Sequence, residues 1–146
     1  MTIRTMKIED YESVYALWLN TPGMGLNNID DSKEGIAKYL ARNPHTCFVA
    51  ESDNKIIGVI LSGHDGRRGF IHHTAVDGCE QRRGVGTALV NAAMSALKDE
   101  GITKVALVVF GKNEKGNAFW EKQGFIIRDD LNYRNRAITE LTRIDT

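Results

Sequence analysis

Two arginines and two glycines lie directly before an alanine-rich helical pattern, in the stretch Gln81-Arg82-Arg83-Gly84-Val85-Gly86-Thr87. An apolar, β-rich run ends shortly before them at Val76, and a polar loop (residues 77–80) joins the two. The first N–H groups of a helix have no partner within the helix and carry a partial positive charge. Glycine lets a ligand approach such groups closely, and arginine adds positive charge. The stretch therefore predicts a binding site for a phosphate-bearing ligand.

Two familiar nucleotide-binding patterns do not fit this loop. The P-loop, G-x-x-x-x-G-K-[ST], places a lysine on the terminal phosphates, and Gly84-Val85-Gly86-Thr87 contains no lysine. The dinucleotide fingerprint G-x-G-x-x-G requires a third small residue for packing of the helix on its strand, but the corresponding position is Leu89. The loop therefore binds its phosphate in some other way.

The loop does fit the pattern Q/R-x-x-G-x-G/A, and the blocks on both sides of it agree. Thr74-Ala75-Val76 ends the strand before the loop, and Asn113 is followed by an aromatic-x-x-x-Gly-Phe block from Trp120 to Phe125. In these features, and in its order of elements, the chain resembles the GNAT superfamily of acyl-coenzyme A-dependent N-acyltransferases over essentially its whole length. Within that superfamily it is similar to small bacterial single-domain members, including the ribosomal-protein alanine acetyltransferases.

The resemblance implies acetyl-CoA as the co-substrate and no metal ion. Backbone N–H groups from Arg83 to Thr87 would face the pyrophosphate, and the edge of the strand at Thr74 to Val76 would pair with the amides of the pantetheine arm. Asn113 would bond the far side of that arm. The residues expected to contact the co-substrate are Thr74, Ala75, Val76, Gln81, Arg82, Arg83, Gly84, Val85, Gly86, Thr87, Asn113 and Trp120.

His72 is the expected general base, because the related arylalkylamine acetyltransferases have a histidine four residues before the end of this strand. Histidine titrates near neutral pH, where an amine needs help to lose a proton, and a limb of the pH–rate profile is expected between about 6 and 8. Strand alternation places His72 and His73 on opposite faces. An alternative is that both are strand residues with satisfied hydrogen bonds. A zinc site is not predicted, because adjacent strand histidines diverge and no zinc spacing is present.

The general acid departs from the family pattern. Many relatives have a tyrosine where this chain has Trp120, whose indole N–H is not a usable acid. The glutamate base of the alanine acetyltransferases is replaced by Val108. Tyr133 is a possible substitute proton donor, and the plainer interpretation is an aromatic residue on the surface or in the substrate wall.

The composition is that of an ordinary globular domain. The 146 residues are 42% hydrophobic and 26% charged, with 19 basic and 19 acidic side chains. Zero formal net charge argues against broad binding of nucleic acid or an anionic membrane. Residues 1–10 lack the apolar core of a signal peptide, and two cysteines are too few for a disulfide framework. We therefore expect one cytoplasmic domain, residues 1–146, and the resemblance adds a possible homodimer.

The hydrophobic periodicity predicts an α/β fold in the order β-α-α-β-β-β-α-β-α-β-β, with a mixed, mostly antiparallel, GNAT-like sheet flanked by helices. Helices are predicted after Asp10, from a cap at Asp31 or Ser32 to about Arg42, from about Gly84 to Glu100, and from Asn113 to Gln123. Strands are predicted at residues 2–8, 46–51, 55–63, 70–76, 104–110 (buried on both faces), 125–128 and 137–143.

The function implied is that of an N-acetyltransferase, which moves an acetyl group from acetyl-CoA to a primary amine by direct attack in a ternary complex. The acceptor is a small molecule or a peptide or protein amine. The alternative is a coenzyme A-binding sensor without turnover, which the absence of a tyrosine at position 120 and of a glutamate at position 108 would explain.

Overall fold

The structure, a computed structural model, describes residues 1–144 of the chain. It contains five strands and four α-helices in that range, in the order β1 (Thr2–Thr5), α1 (Tyr11–Leu19), α2 (Lys33–Arg42), β2 (Phe48–Ser52), β3 (Lys55–His64), β4 (Gly69–Val76), α3 (Val85–Asp99), β5 (Val105–Leu107) and α4 (Glu114–Lys122). Short 3-10 turns precede α1 (Ile8–Asp10) and α3 (Gly78–Glu80).

The five strands form one sheet in the order β1-β2-β3-β4-β5. The first four are antiparallel neighbours, and β5 lies parallel to β4. A tight turn at Asp53-Asn54, both with positive φ, joins β2 to β3 as the polar sequence predicted. The mixed, mostly antiparallel α/β sheet is therefore confirmed.

Each face of the sheet is covered by helices, so the molecule has three layers. On one face α1 and α2 pack through a cluster that includes Val14, Trp18 and Ile36. On the other face α3 packs through a second cluster that includes Leu89 and Ala93. Both sides of the central strands β2 and β3 are buried as a result.

The helix caps differ in detail from the expected ones. Ser32 caps α2, since its hydroxyl accepts a hydrogen bond from Gly35 N at 3.0 Å. The Asp10 carboxylate instead accepts from Lys7 N and pairs with the Arg4 guanidinium, both at 2.9 Å. Because Ser32 rather than Asp31 caps α2, the Asp31 carboxylate is available for contacts elsewhere.

The end of the chain contradicts two strand predictions. No strand is formed at residues 125–128 or 137–143, and residues 126–141 are exposed. A strand needs a hydrogen-bonded neighbour, and this segment does not pair with the open edge of β5. Thr142 to Ile144 return to the body, where Asn28 N donates to Thr142 O at 3.0 Å and Ile144 N donates to Leu26 O at 2.9 Å.

β5 is also shorter and more exposed than predicted. It spans three residues rather than seven, and only one of its faces is covered. Val105 and Leu107 pack on the second cluster, whereas Ala106, Val108 and Phe110 are exposed. The prediction of burial on both faces was wrong because, within residues 1–144, only the face that carries Val105 and Leu107 is packed against the core, and Ala106 on the other face is exposed.

Within residues 1–144, none of the helices has both the length and the apolar character needed to cross a lipid bilayer.

Candidate active site

A β-bulge in β4 lies beside the place where β4 and β5 cease to be paired, and this unpaired gap is here named the cleft. Val59 and Leu61 of β3 pair with Ala75 and His72, so β4 contains one residue more than β3 between these two pairs. His73, within the bulge, has a left-handed backbone with φ of 44°. The parallel pairing with β5 ends one residue earlier, at Ile71. Beyond this point, within residues 1–144, β4 has no strand on its outer side, and the edge at Thr74 to Val76 is open as predicted.

One buried polar atom at this edge has no partner. The Thr74 hydroxyl oxygen is buried and makes no hydrogen bond within the described residues. An unsatisfied buried polar atom costs roughly 1–3 kcal/mol, which a ligand group at the open edge would relieve. This atom supports the expectation that Thr74 faces a bound ligand.

The loop after β4 presents free donors at the start of α3. Asp77 begins a 3-10 turn by accepting a hydrogen bond from Cys79 N at 2.9 Å. The chain then passes Gln81 and reaches Gly84, whose φ of 80° is left-handed and which caps α3 without a side-chain hydrogen bond. The N–H groups of the first turn of α3, Val85 to Thr87, therefore remain available to an anion.

The two arginines strengthen this positive site. Arg83 forms an exposed 3.4 Å contact with Glu80, and Arg82, with φ of 66°, has no ion pair within residues 1–144. Both lie at the positive end of the helix dipole, where cations are unfavourable unless an anion is bound. The arrangement fits a pyrophosphate.

The two glycines have different roles. A Cβ atom at Gly84 would meet no atom within 4 Å, so glycine is favoured there by its positive φ. A Cβ atom at Gly86 would lie 3.0 Å from the ring of Phe119. Gly86 therefore permits close packing of α4 on α3, in addition to the close approach of a ligand expected from the sequence.

Asn113 and Trp120 lie on α4. The side chain of Asn113 caps this helix by accepting from Gly116 N at 2.9 Å, and its amide N–H groups make no hydrogen bond within the described residues. Trp120 packs edge-on against Phe119 at 5.0 Å and Phe125 at 5.3 Å between ring centroids. Asn113 thus has donors to offer a ligand, whereas Trp120 mainly supports the packing of α4.

The bulge changes the predicted geometry of the two histidines. Their ring centroids are 6.1 Å apart, so they do not diverge to opposite faces as strand alternation predicted. The ring of His72 contacts Phe70 at 4.7 Å and Tyr39 at 5.7 Å, while an edge stays open to solvent. Desolvation, with a smaller contribution from His73, lowers the pKa of His72 to about 4.

His73 forms a dyad with a buried carboxylate that sequence reasoning did not identify. Its Nε2 lies 2.7 Å from Asp31 Oδ1, and the other oxygen of Asp31 accepts from Asn27 N at 2.8 Å. Tyr11 holds the backbone of Asp31 by donating to its carbonyl oxygen at 2.7 Å. Trp18 donates to His73 O at 3.0 Å and packs edge-on against its ring. No local signal links residues 42 positions apart, and the bulge is invisible in the sequence pattern.

The remaining candidates lie elsewhere. Tyr133 is 68% exposed in the segment after α4. Val108 is 57% exposed. Within residues 1–144 no three histidine, cysteine or acidic side chains lie close enough together to hold a metal ion.

Comparison with known proteins identifies the fold. The model of the acetyltransferase (GNAT) family matches residues 11–125. The chain belongs to this family. The protein is accordingly an acetyltransferase with acetyl-CoA as co-substrate.

Similar proteins agree with this assignment. The chain is 28% identical to acetyltransferase SG1711 of Sodalis glossinidius (strain morsitans) over 140 residues, 96% of this chain and 97% of that protein. The structure of Ard1 from Thermoplasma volcanium superposes with a TM-score of 0.78 and 26% identity, covering 87% and 83% of the two chains. The ribosomal-protein-alanine N-acetyltransferase from Brucella melitensis biovar Abortus 2308 shares the fold, with a TM-score of 0.68, 19% identity and coverage of 93% and 98%.

The anion site can be tested with a pair of glycine variants. Gly84 and Gly101 lie at opposite ends of α3 with φ of 80° and 82°, and neither has a neighbouring atom near its missing Cβ. Replacing either by valine should cost at least about 1–2 kcal/mol of stability through backbone strain. Only Gly84→Val should also abolish binding of coenzyme A in a calorimetric titration of folded protein. Retained affinity in Gly84→Val, or equal loss in Gly101→Val, would contradict the site.

The environment of His72 predicts a pH-dependent stability. Because its pKa is about 4 in the folded chain and about 6.5 when unfolded, the unfolded chain binds the proton more readily between these values. The free energy of unfolding should therefore fall as the pH is lowered through this window. In urea denaturation, His72→Gln should flatten this part of the profile. Parallel profiles for the variant and the wild type would show that the ring is not desolvated.

Proposed function

We propose that the protein is an N-acetyltransferase that transfers the acetyl group of acetyl-CoA to a primary amine by direct attack in a ternary complex. The acceptor amine belongs to a small molecule or to a peptide or protein. The observation that carries this proposal is the cleft beside the β4 bulge, which adjoins both the uncapped start of α3 and the His73–Asp31 dyad.

The chain would hold acetyl-CoA along this cleft. The N–H groups of Val85 to Thr87 and the guanidinium groups of Arg82 and Arg83 would bind the pyrophosphate. The open edge of β4 would pair with the pantetheine amides, as an added strand does. The Thr74 hydroxyl and the Asn113 amide would bond to it from either side.

Acetyl-CoA supplies a thioester whose carbonyl carbon is attacked by the amine nitrogen, so that a C–N bond forms, the C–S bond breaks and the thiolate leaves. The chain must accept the proton that the amine gives up. It must also exclude enough water for the attack to compete with hydrolysis.

We propose His73 as the base that receives this proton, directly or through a water molecule. The Asp31 carboxylate accepts a hydrogen bond from Nε2, which leaves the lone pair on Nδ1 free to take a proton. Asp31 also stabilises the imidazolium that results, as the acidic partner of a histidine base generally does.

His72 remains the other candidate for the base. Its ring is neutral at pH 7, because its pKa is lowered to about 4, and one edge faces solvent. As the base it would place the acidic limb of the pH–rate profile near pH 4, below the interval of about 6 to 8 expected from an ordinary histidine.

A dedicated acid is not required by this proposal. A thiolate with a conjugate-acid pKa of about 8.5 is a moderate leaving group. Tyr133 stays the candidate donor, and its side chain is exposed in the segment after α4.

The balance of basic and acidic residues bears on which partners we propose for the chain. With 19 basic and 19 acidic residues the chain has no excess charge for nucleic acid or an anionic membrane. We therefore propose an enzyme that acts on a free amine acceptor rather than on nucleic acid or a membrane. That it is cytoplasmic is proposed from its two free cysteines, and that it forms a homodimer is proposed from the family resemblance alone.

The test of this function is a thiol-release assay with acetyl-CoA and a panel of small amines and peptides. Wild-type protein should release thiol only when an amine is present, and mass spectrometry should find the acetyl group on nitrogen. In the same assay His73→Ala and Asp31→Asn should each lower kcat by about 10²-fold or more. Their affinity for coenzyme A should be unchanged, because neither residue contacts the anion site.

The matched control is His45→Ala, which removes an exposed histidine away from the cleft and should leave kcat unchanged. If His73→Ala retains full kcat while His72→Ala loses it, the base is His72. Coenzyme A binding without thiol release across the whole panel would favour the non-catalytic sensor and contradict the proposed transfer.

A further inference from the structure

Three aromatic rings meet beside the proposed base, between α2 and β4. The His72 ring lies in the middle, with the Phe70 ring at 4.7 Å and the Tyr39 ring at 5.7 Å between centroids. Core packing does not account for this group, because His72 is exposed and Phe70, which is half-buried, belongs to neither core cluster of the described residues. Tyr39, Phe70 and His72 are here named the aromatic cluster.

The aromatic cluster is close to the place where the acceptor amine would react. The centroids of the His72 and His73 rings are 6.1 Å apart. A cation is attracted to the face of an aromatic ring when it lies within about 6 Å of the ring centroid. An acceptor whose amine is at His73 would therefore reach the rings with a second group only a few carbon–carbon bonds away.

Two carboxylates give this place a negative electrostatic potential. The exposed Asp30 carboxylate accepts a hydrogen bond from the neutral Asn27 amide at 3.0 Å and so keeps its charge. Asp31, which pairs with His73, is the second. Both carboxylates favour a positive charge at the His72 ring. Carboxylates beside aromatic rings are a combination that attracts cations.

His72 does not supply that positive charge itself. Desolvation outweighs the two carboxylates and lowers the pKa of His72 to about 4, so the ring is neutral at pH 7. The attraction of Asp30 and Asp31 for a cation is therefore not used up by the ring between them. An anionic group would be repelled here, and an uncharged apolar group would gain nothing from the carboxylates.

We infer that the aromatic cluster, together with Asp30, binds a second cationic group of the acceptor while the reacting amine lies at His73. This inference rests on the proposed transfer to an amine, and it narrows the acceptor to a molecule with two cationic nitrogen atoms a short chain apart. The first nitrogen gives up its proton and receives the acetyl group. The second keeps its charge and fixes the orientation of the acceptor.

The test compares two acceptors of equal length, 1,4-diaminobutane and 4-amino-1-butanol, in which a hydroxyl group replaces the second cation. Calorimetric titration of the complex with coenzyme A, which carries no acetyl group, measures acceptor binding without turnover. Wild-type protein should bind the diamine about 3- to 30-fold more tightly, the range of a cation–aromatic contact, beyond the factor of two for its two equivalent nitrogen atoms.

Two variants remove the rings and the charge separately. Phe70→Leu keeps an apolar side chain but loses the aromatic face, and Asp30→Asn keeps the hydrogen-bond acceptor for Asn27 but loses the charge. Each should reduce the preference for the diamine by about threefold or more, with an unchanged circular dichroism spectrum. The matched control is Asp99→Asn at the end of α3, which removes an exposed carboxylate elsewhere and should keep the wild-type preference.

The outcomes separate this inference from the proposed transfer. Equal affinity for the two acceptors, absence of diamine binding, or a wild-type preference in both Phe70→Leu and Asp30→Asn would overturn the inference, even if acetyl-CoA is turned over. A preference for the diamine that both variants lose would support the cation site. If the same protein then released no thiol from acetyl-CoA with either acceptor, only the proposed transfer would be contradicted.

Discussion

The left-handed backbone of His73 is the constraint on which the site depends. This conformation costs a residue with a Cβ atom of the order of 1–2 kcal/mol. The hydrogen bond from the Trp18 indole to His73 O and the bond between the His73 ring and Asp31 hold it in place. The extra residue bends β4 where its pairing with β5 ends, so one local distortion both adjoins the cleft and turns a histidine toward a buried carboxylate.

The start of α3 adds a site of positive electrostatic potential to the open strand edge at the bulge. Gly84 provides no capping side chain, and two arginines lie at the positive end of a 15-residue helix. Such an arrangement is unfavourable in an empty protein and favourable around a phosphate, so it is a feature of binding rather than of folding. The bulge and the start of α3 are joined by the end of β4 and the loop of residues 77–84, and we propose that the acyl and phosphate ends of one long ligand lie along this path.

Features with local causes were predictable from the sequence. Gly84 before α3, the cap at Ser32 and the turn at Asp53-Asn54 follow from backbone chemistry within a few residues, and the structure has each of them. The bulge was not predictable, because strand alternation assumes a regular period of two. The His73–Asp31 dyad depends on that bulge and on a contact between distant elements. Gly86 was assigned to ligand approach alone, since its packing against Phe119 is also tertiary.

The end of the chain shows a different limit. The apolar and alternating residues there predicted two strands, yet pattern alone does not supply a hydrogen-bonding partner.

The most direct test of the central claim, that acetyl-CoA binds along the β4 bulge with its pyrophosphate at the start of α3, is an NMR titration of the ¹⁵N-labelled chain with coenzyme A. The amide signals of Val85 to Thr87 and of Thr74 to Val76 should move together and saturate at one concentration. Shifts confined to other parts of the sheet, with these six amides unmoved, would contradict the account.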